Sequence, residues 1–231
     1  MNAGVRRAVA GGLVRNVSVL ACGPAVEELA EWLPRAGVAI GLHVALNAEW
    51  AAWRWGPVAP REAVKGLLEA DGHFTREPGV LHERGAPVEE MLREARAQLA
   101  RLRALGIEPD YLDEHMFVGW VGGLRAALAE LARAEGLVEA GRWEPLKTPP
   151  RKGEADTDVV GRWSAALAGL GSGASGARVL ITHPGGDAFM PAAEAAWRDA
   201  EAAAWGDARW AEALRAEGVE VVGYPELARM G

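Results

Sequence analysis

Apolar and polar positions along the chain follow two spacings. Helical spacing, with apolar residues three and four positions apart, is clearest from Val88 to Leu105, where Gly106 occupies the expected C-terminal cap and Pro109 prevents continuation. Short apolar runs bounded by turn residues predict strands. The predicted strands are Val17–Cys22, Val38–Leu46, a piece near Leu137, and Tyr111–His115, Arg178–Thr182 and Val219–Val222.

Helical patterns separate these strands. Besides the long helix, the predicted helices are Val5–Val14, Pro24–Trp32, Gly123–Glu135, one around Ala165 and two before the last strand. This alternation predicts an α/β fold with a mostly parallel sheet, either open or closed into a barrel. The chain has 231 residues, half of them apolar, which predicts a single domain over residues 1–231.

The charge of the chain limits the kinds of binding partner to expect, and its cysteine content bears on disulfides and cellular location. The formal net charge is -7, from 32 acids and 25 bases, without a basic run. Nucleic acid and anionic membrane surfaces are therefore not expected partners. Cys22 is the single cysteine of the sequence, so no internal disulfide can form, and a cytoplasmic location is the expectation.

Three histidines fall at or near the ends of predicted strands, namely His43, His115 and His183. In α/β folds the carboxyl ends of the strands carry the chemistry. Asp113 precedes His115 by two positions, so both side chains are expected to face the same way. We predict His43 and His115 as nitrogen ligands of a divalent metal, with Asp113 either an oxygen ligand or an outer carboxylate that orients an imidazole. A hydrogen-bonded core histidine is the alternative for each one taken singly.

Five segments in order along the chain resemble one known family. They are "NAGV" with the helix and strand that follow it, "GLHVALN", "DGHF", "YLDEH" and "THPGG". This set is similar to the YdjC-like carbohydrate deacetylases, and its order and spacing cover nearly the whole chain. The resemblance implies an irregular (β/α) barrel and a hydrolase that removes acetyl groups from N-acetylated sugars or oligosaccharides.

The resemblance also implies roles for individual residues. Family members bind a divalent metal through one aspartate and two histidines, which match His43 and His115 here. His183 matches a strand-end histidine that we expect to act as the general acid, and Asp113 is expected to belong to the catalytic site. Magnesium and zinc are the leading candidates for the metal. The expected partner is a small carbohydrate, and a homodimer is left open.

The chain departs from the family pattern at its start and at Tyr111. Family members begin with a strand ending in Asp-Asp, whereas this chain starts at Met1 and Asn2, inside the pattern that follows. We therefore expect the first strand to be missing through a misassigned start codon, with a fragment or a true loss as alternatives. Tyr111 replaces a histidine common in the family, which bears on substrate specificity. The alternative functions are a degenerate, non-catalytic sugar- or metal-binding paralogue and a metal hydrolase of another amide or ester.

Aromatic and basic residues supply candidates for substrate contact. The sequence has ten tryptophans, and Trp50, Trp53 and Trp55 follow the His43 strand directly. Aromatic rings cover the apolar faces of sugars, so these rings, with Trp50 and Trp53 as the named candidates, are predicted to bind substrate, and core packing is the alternative. Arg142 is predicted to orient a carboxylate or the substrate, with a solvated surface arginine as its alternative.

Overall fold

The computed structural model describes residues 2–153, 156–170, 176–186 and 190–230. The chain divides into two compact units, which we call the sheet unit, residues 16–141, and the helical unit, residues 1–15 and 142–231. The single domain predicted for residues 1–231 stays a prediction.

Helices and strands alternate through the first part of the chain. The strands are β1 Asn16–Val19, β2 Ala39–Val44, β3 Tyr111–Glu114 and β4 Val138–Glu139. The α-helices are α1 Asn2–Ala10, α2 Glu27–Ala30, α3 Pro78–Glu83, α4 Val88–Ala104, α5 Leu124–Ala134, α6 Val159–Ala168, α7 Ala192–Ala204, α8 Ala208–Ala216 and α9 Tyr224–Met230. Short 3-10 helical segments cover Leu33–Arg35, Arg61–Ala63, Lys65–Leu67, His115–Gly123 and Ala140–Arg142.

A four-stranded parallel sheet, in the order β1-β2-β3-β4, organises the sheet unit. Ile40, Leu42 and Val44 of β2 are buried, as expected for an inner strand of a parallel sheet. The register pairs His43 of β2 with Asp113 of β3, which places their side chains side by side. The predicted α/β class with mostly parallel strands is confirmed, and an irregular barrel is consistent with it.

Helix α4 packs against β2. It also holds in place the segment that follows β2 along the chain. Gln98 is fully buried; its Nε2 donates to the carbonyl of Ala45 at 2.7 Å and its Oε1 accepts from the amide of Ala45 at 3.1 Å. Glu94 is also buried and accepts from the amides of Val58 and Ala59, both at 2.9 Å. Both ends of the connection between residues 45 and 59 are therefore attached to the same rigid helix.

The core of the helical unit contains three tryptophans. The ring centroid of Trp163 lies 5.0 Å from that of Trp205 and 5.2 Å from that of Trp210. These three tryptophans therefore pack in the core of this unit. In the same unit, a Cβ added to Gly4 of α1 would lie 2.5 Å from the Cα of Gly185, so this glycine permits close backbone contact.

Several predicted elements differ in the structure. The strands predicted at Arg178–Thr182 and Val219–Val222 are wrong, since Val179 makes only an isolated bridge to Pro145 and no strand is assigned at 219–222. The first helix covers Asn2–Ala10 and does not reach Val14, because Gly11 and Gly12 turn the chain and Gly12 has φ of +81°.

In the part of the chain that the structure describes, no helix is both long enough and apolar enough to cross a membrane.

Candidate functional site

Two imidazoles meet at the carboxyl ends of β2 and β3. His43 lies one residue before the end of β2, and His115 follows β3 directly. The Nε2 atom of His43 and the Nδ1 atom of His115 are 3.2 Å apart, and the ring centroids are 5.2 Å apart. These two imidazoles therefore lie in contact within the sheet unit.

Asp113 contacts the outer nitrogen of His43. Its Oδ1 is 2.6 Å from His43 Nδ1, while its Oδ2 accepts from the Ser18 hydroxyl at 2.7 Å. The Ser18 hydroxyl also lies 2.8 Å from the Tyr111 hydroxyl, whose ring is fully buried. Because both oxygens of Asp113 are engaged in this way, its contacts match an outer carboxylate that orients an imidazole.

Glu49 contacts the outer nitrogen of His115. Its Oε2 lies 2.9 Å from His115 Nε2, and the side chains of His115 and Glu49 are 11% and 26% exposed. The two imidazoles therefore face each other through one nitrogen each, and each has a carboxylate on its other nitrogen. In this arrangement each outer nitrogen has a carboxylate that accepts its hydrogen.

Burial and charge act differently on the two imidazoles. Burial acts to lower the pKa of His43, but the charge and hydrogen bond of Asp113 act against it, and the net pKa is raised above its ordinary value. Burial lowers the pKa of His115, opposed by its hydrogen bond with Glu49. A protonated His43 can then donate to Asp113 and to His115 Nδ1, while neutral His115 donates from Nε2 to Glu49.

The histidine pair has the spacing of two ligands on one metal ion. Two nitrogens bound to a single tetrahedral zinc ion, each about 2.0–2.1 Å from it, lie about 3.3 Å apart, close to the 3.2 Å between His43 Nε2 and His115 Nδ1. A cation between them would replace the shared proton and leave both outer hydrogen bonds in place. Within the described residues, no group of three or more His, Cys, Asp or Glu side chains is arranged to hold a metal. The fit is therefore that of a two-histidine donor set.

Backbone strain follows immediately after His115. Met116 and Phe117 have φ of 48° and 54°, a left-handed conformation that is unfavourable for side chains of this size. Phe117 and Trp120 are 56% and 51% exposed. Such strain is concentrated at functional sites, and here it turns the chain sharply beside a proposed ligand.

The tryptophans after β2 lie in different environments. Trp55 is buried, donates from Nε1 to the carbonyl of Asn47 at 2.9 Å, and places its ring centroid 5.8 Å from that of His115. Trp50 is partly buried, and Trp53 is 37% exposed. The substrate contact predicted for Trp50 and Trp53 stays a prediction, and the buried ring of Trp55 contacts His115.

His183 and Arg142 belong to the helical unit. His183 is exposed, and its amide donates to Glu201 Oε2 at 2.8 Å. Arg142 is also exposed, and its guanidinium carbon lies 4.1 Å from the ring centroid of Trp143. The general-acid role of His183 and the substrate-orienting role of Arg142 stay predictions.

Comparison with protein families gives the relationship of the whole chain. The family model described as YdjC-like protein matches residues 1–216. The chain belongs to the YdjC-like family. Among curated proteins, the comparison found no match.

A solved structure from another organism shares the fold of this YdjC-like protein. It comes from Enterococcus faecalis and is provisionally named a cellobiose-phosphate cleavage protein. The two share 20% sequence identity with a TM-score of 0.75, and the alignment covers 97% of this chain and 92% of that one. At this identity the likeness shows the α/β fold alone.

Sequence reasoning missed two contacts in this YdjC-like site, that of Glu49 with His115 and that of Ser18 with Asp113. Glu49 lies on an irregular connection, where no periodicity indicates which way a side chain points. Ser18 lies on β1, and its contact with Asp113 crosses from one strand to another that is not its direct neighbour. The available signal for Glu49 was its position five residues after the end of β2, where connections at the carboxyl end of the sheet carry functional groups.

Proposed function

We propose that this YdjC-like protein is a metal-dependent hydrolase that removes acetyl groups from N-acetylated sugars or oligosaccharides. The observation that carries the proposal is the pair formed by His43 Nε2 and His115 Nδ1, 3.2 Å apart, each with a carboxylate on its other ring nitrogen. Family membership and the sugar-related name of the Enterococcus faecalis protein support a carbohydrate substrate.

Four residues of the sheet unit would have distinct roles in binding the cation. His43 and His115 would hold a divalent cation, magnesium or zinc, through the nitrogens that face each other. When bound, that cation supplies polarisation of the acetamide oxygen and a lowered pKa for a water molecule. Asp113 and Glu49 keep each imidazole hydrogen on the outer nitrogen, and therefore keep the lone pairs directed inward.

Amide hydrolysis also needs a proton for the departing amine. A histidine suits this step because its pKa lies near neutral pH, and we assign it to His183. The main chain of His183 is anchored by its hydrogen bond to Glu201.

A second candidate function is a non-catalytic sugar- or metal-binding protein. It is favoured by one observation, the absence of a third metal-binding side chain at the histidine pair among the residues described. In that case the pair would bind a cation without hydrolysis.

Acetate release from N-acetylglucosamine oligomers tests the proposal. The protein is treated with a chelator and assayed before and after addition of magnesium or zinc. We expect acetate release only with metal, and its loss in His115→Ala together with the metal. His73→Ala is the matched control, since it removes a histidine of the same unit outside the pair, and it should retain activity. Metal binding without acetate release would favour the second candidate.

A further inference from the structure

Glu49 is held in place by more than its side chain. The Nε and Nη2 atoms of Arg76 donate to the carbonyl of Glu49 at 3.4 and 3.1 Å. The amide of the preceding residue, Ala48, donates to the carbonyl of Thr75 at 2.8 Å. These bonds lie inside the connection whose ends are attached to α4. The backbone of Glu49 is therefore fixed on an irregular segment that would otherwise be free to move.

The carboxylate of Glu49 contacts the imidazole of His115, which has little exposure to solvent. His115 is only 11% exposed, so the hydrogen on its outer nitrogen needs a protein acceptor. Glu49 Oε2 provides that acceptor at 2.9 Å. A neutral imidazole carries one hydrogen, and an acceptor at Nε2 therefore leaves Nδ1 as the nitrogen with the lone pair. That lone pair is directed at His43 Nε2.

We propose that Glu49 is a positioning residue of the histidine pair: its bond to His115 Nε2 selects the tautomer whose Nδ1 binds a divalent cation together with His43. This inference rests on the proposed function and assigns a role to a residue outside the predicted site. Glu49 orients His115 as Asp113 orients His43, so the inner nitrogens of both rings already face each other before a cation arrives and displaces the proton between them. Preset donors bind more tightly because no free energy is spent on reorienting the rings.

The tautomer of His115 can be measured without any metal. Long-range proton–nitrogen NMR spectra of the metal-free protein at pH 8 distinguish a hydrogen on Nε2 from one on Nδ1. We expect His115 to carry it on Nε2 in the wild type and in Glu49→Gln, whose amide oxygen still accepts. In Glu49→Ala we expect a mixture of both tautomers. Glu62→Gln is the control for loss of one negative charge, because Glu62 is a surface residue of the same unit with an 83% exposed side chain.

Zinc affinity, measured by calorimetric titration, gives the second readout. Glu49→Ala should bind zinc about 10- to 100-fold more weakly than the wild type, the usual effect of losing an outer hydrogen-bond partner. Glu49→Gln should lose less than Glu49→Ala, and Glu62→Gln should match the wild type.

The outcomes separate this inference from the proposed function. An unchanged His115 tautomer in Glu49→Ala overturns the positioning role, whatever the affinity. Equal losses of affinity in Glu49→Gln and Glu49→Ala also overturn it, because they would make the carboxylate itself a ligand. A wild type that binds no zinc but shows the expected tautomers would refute the metal-dependent function and leave the orientation by Glu49 standing. If Glu49→Ala does not fold, the His115 tautomer in Glu49→Gln decides the question. A tautomer that differs from that of the wild type overturns the positioning role, and the same tautomer supports it.

Discussion

Replacement of Glu201 by glutamine should change how the stability of the protein depends on pH. Glu201 lies on α7 and is 5% exposed. Burial raises the pKa of its carboxyl group from 4.5 to about 7, although the hydrogen bond from the His183 amide acts in the opposite direction. The buried carboxyl therefore resists ionisation in the folded protein, while in the unfolded chain it ionises at the ordinary value.

The sign and size of the effect follow from this difference. A group whose pKa is higher in the folded state contributes stability that is complete below its unfolded pKa and is lost as the pH rises through its folded pKa. Here the loss spans pH 4.5 to about 7. Each factor of ten in the acid dissociation constant is worth about 1.4 kcal/mol. Ionised Glu201 therefore costs the folded state about 3 kcal/mol at pH 8.5 and less than about 1 kcal/mol at pH 5.

Urea denaturation followed by tryptophan fluorescence measures this difference. Glu201→Gln cannot ionise and keeps an oxygen that accepts from His183, so it should be more stable than the wild type by about 3 kcal/mol at pH 8.5 but by less than about 1 kcal/mol at pH 5. Glu212→Gln, on the exposed surface of α8 in the same unit, should show no such dependence. The reasoning is refuted if the difference between Glu201→Gln and the wild type is the same at both pH values.

Three further predictions concern the site. Gly41→Ala should lower stability by about 1–3 kcal/mol, because the added Cβ would overlap the ring of Tyr111; an unchanged thermal unfolding midpoint would contradict this. Asp113→Ala should weaken zinc binding about 10- to 100-fold through loss of the bond to His43 Nδ1, and calorimetry giving wild-type affinity would rule out the orienting role. His183→Ala should lower kcat about 10²–10⁴-fold with metal content unchanged, whereas loss of the metal would make His183 a ligand.

Strand geometry brought His43 and His115 to the same edge of the predicted sheet, because parallel strands end at one edge. It did not predict that the two imidazoles meet, since the sequence does not show that β2 and β3 are neighbours; the family resemblance supplied that expectation. The period of two residues along a strand placed Asp113 on the same side. Family resemblance added the identity of the chemistry.

Other features depend on tertiary contacts that no local pattern reports. Apolar runs at Arg178–Thr182 and Val219–Val222 resemble strands, but a strand also needs a partner backbone, and the segment near Pro145 offers Val179 a single bridge. Pro149 and Pro150 follow in that segment, and prolines cannot donate to a ladder. Glu49 was missed for a related reason. The direction of its side chain depends on hydrogen bonds that side chains of α4 and Arg76 make with the backbone around it.

X-ray absorption spectroscopy at the zinc edge tests the central claim most directly, namely that His43 and His115 bind one cation together. The protein is loaded with one equivalent of zinc. The account predicts two imidazole nitrogens about 2.0–2.1 Å from the metal, with one imidazole fewer in each of His43→Ala and His115→Ala. A wild-type spectrum with fewer than two imidazoles, or spectra unchanged in both variants, would contradict the account.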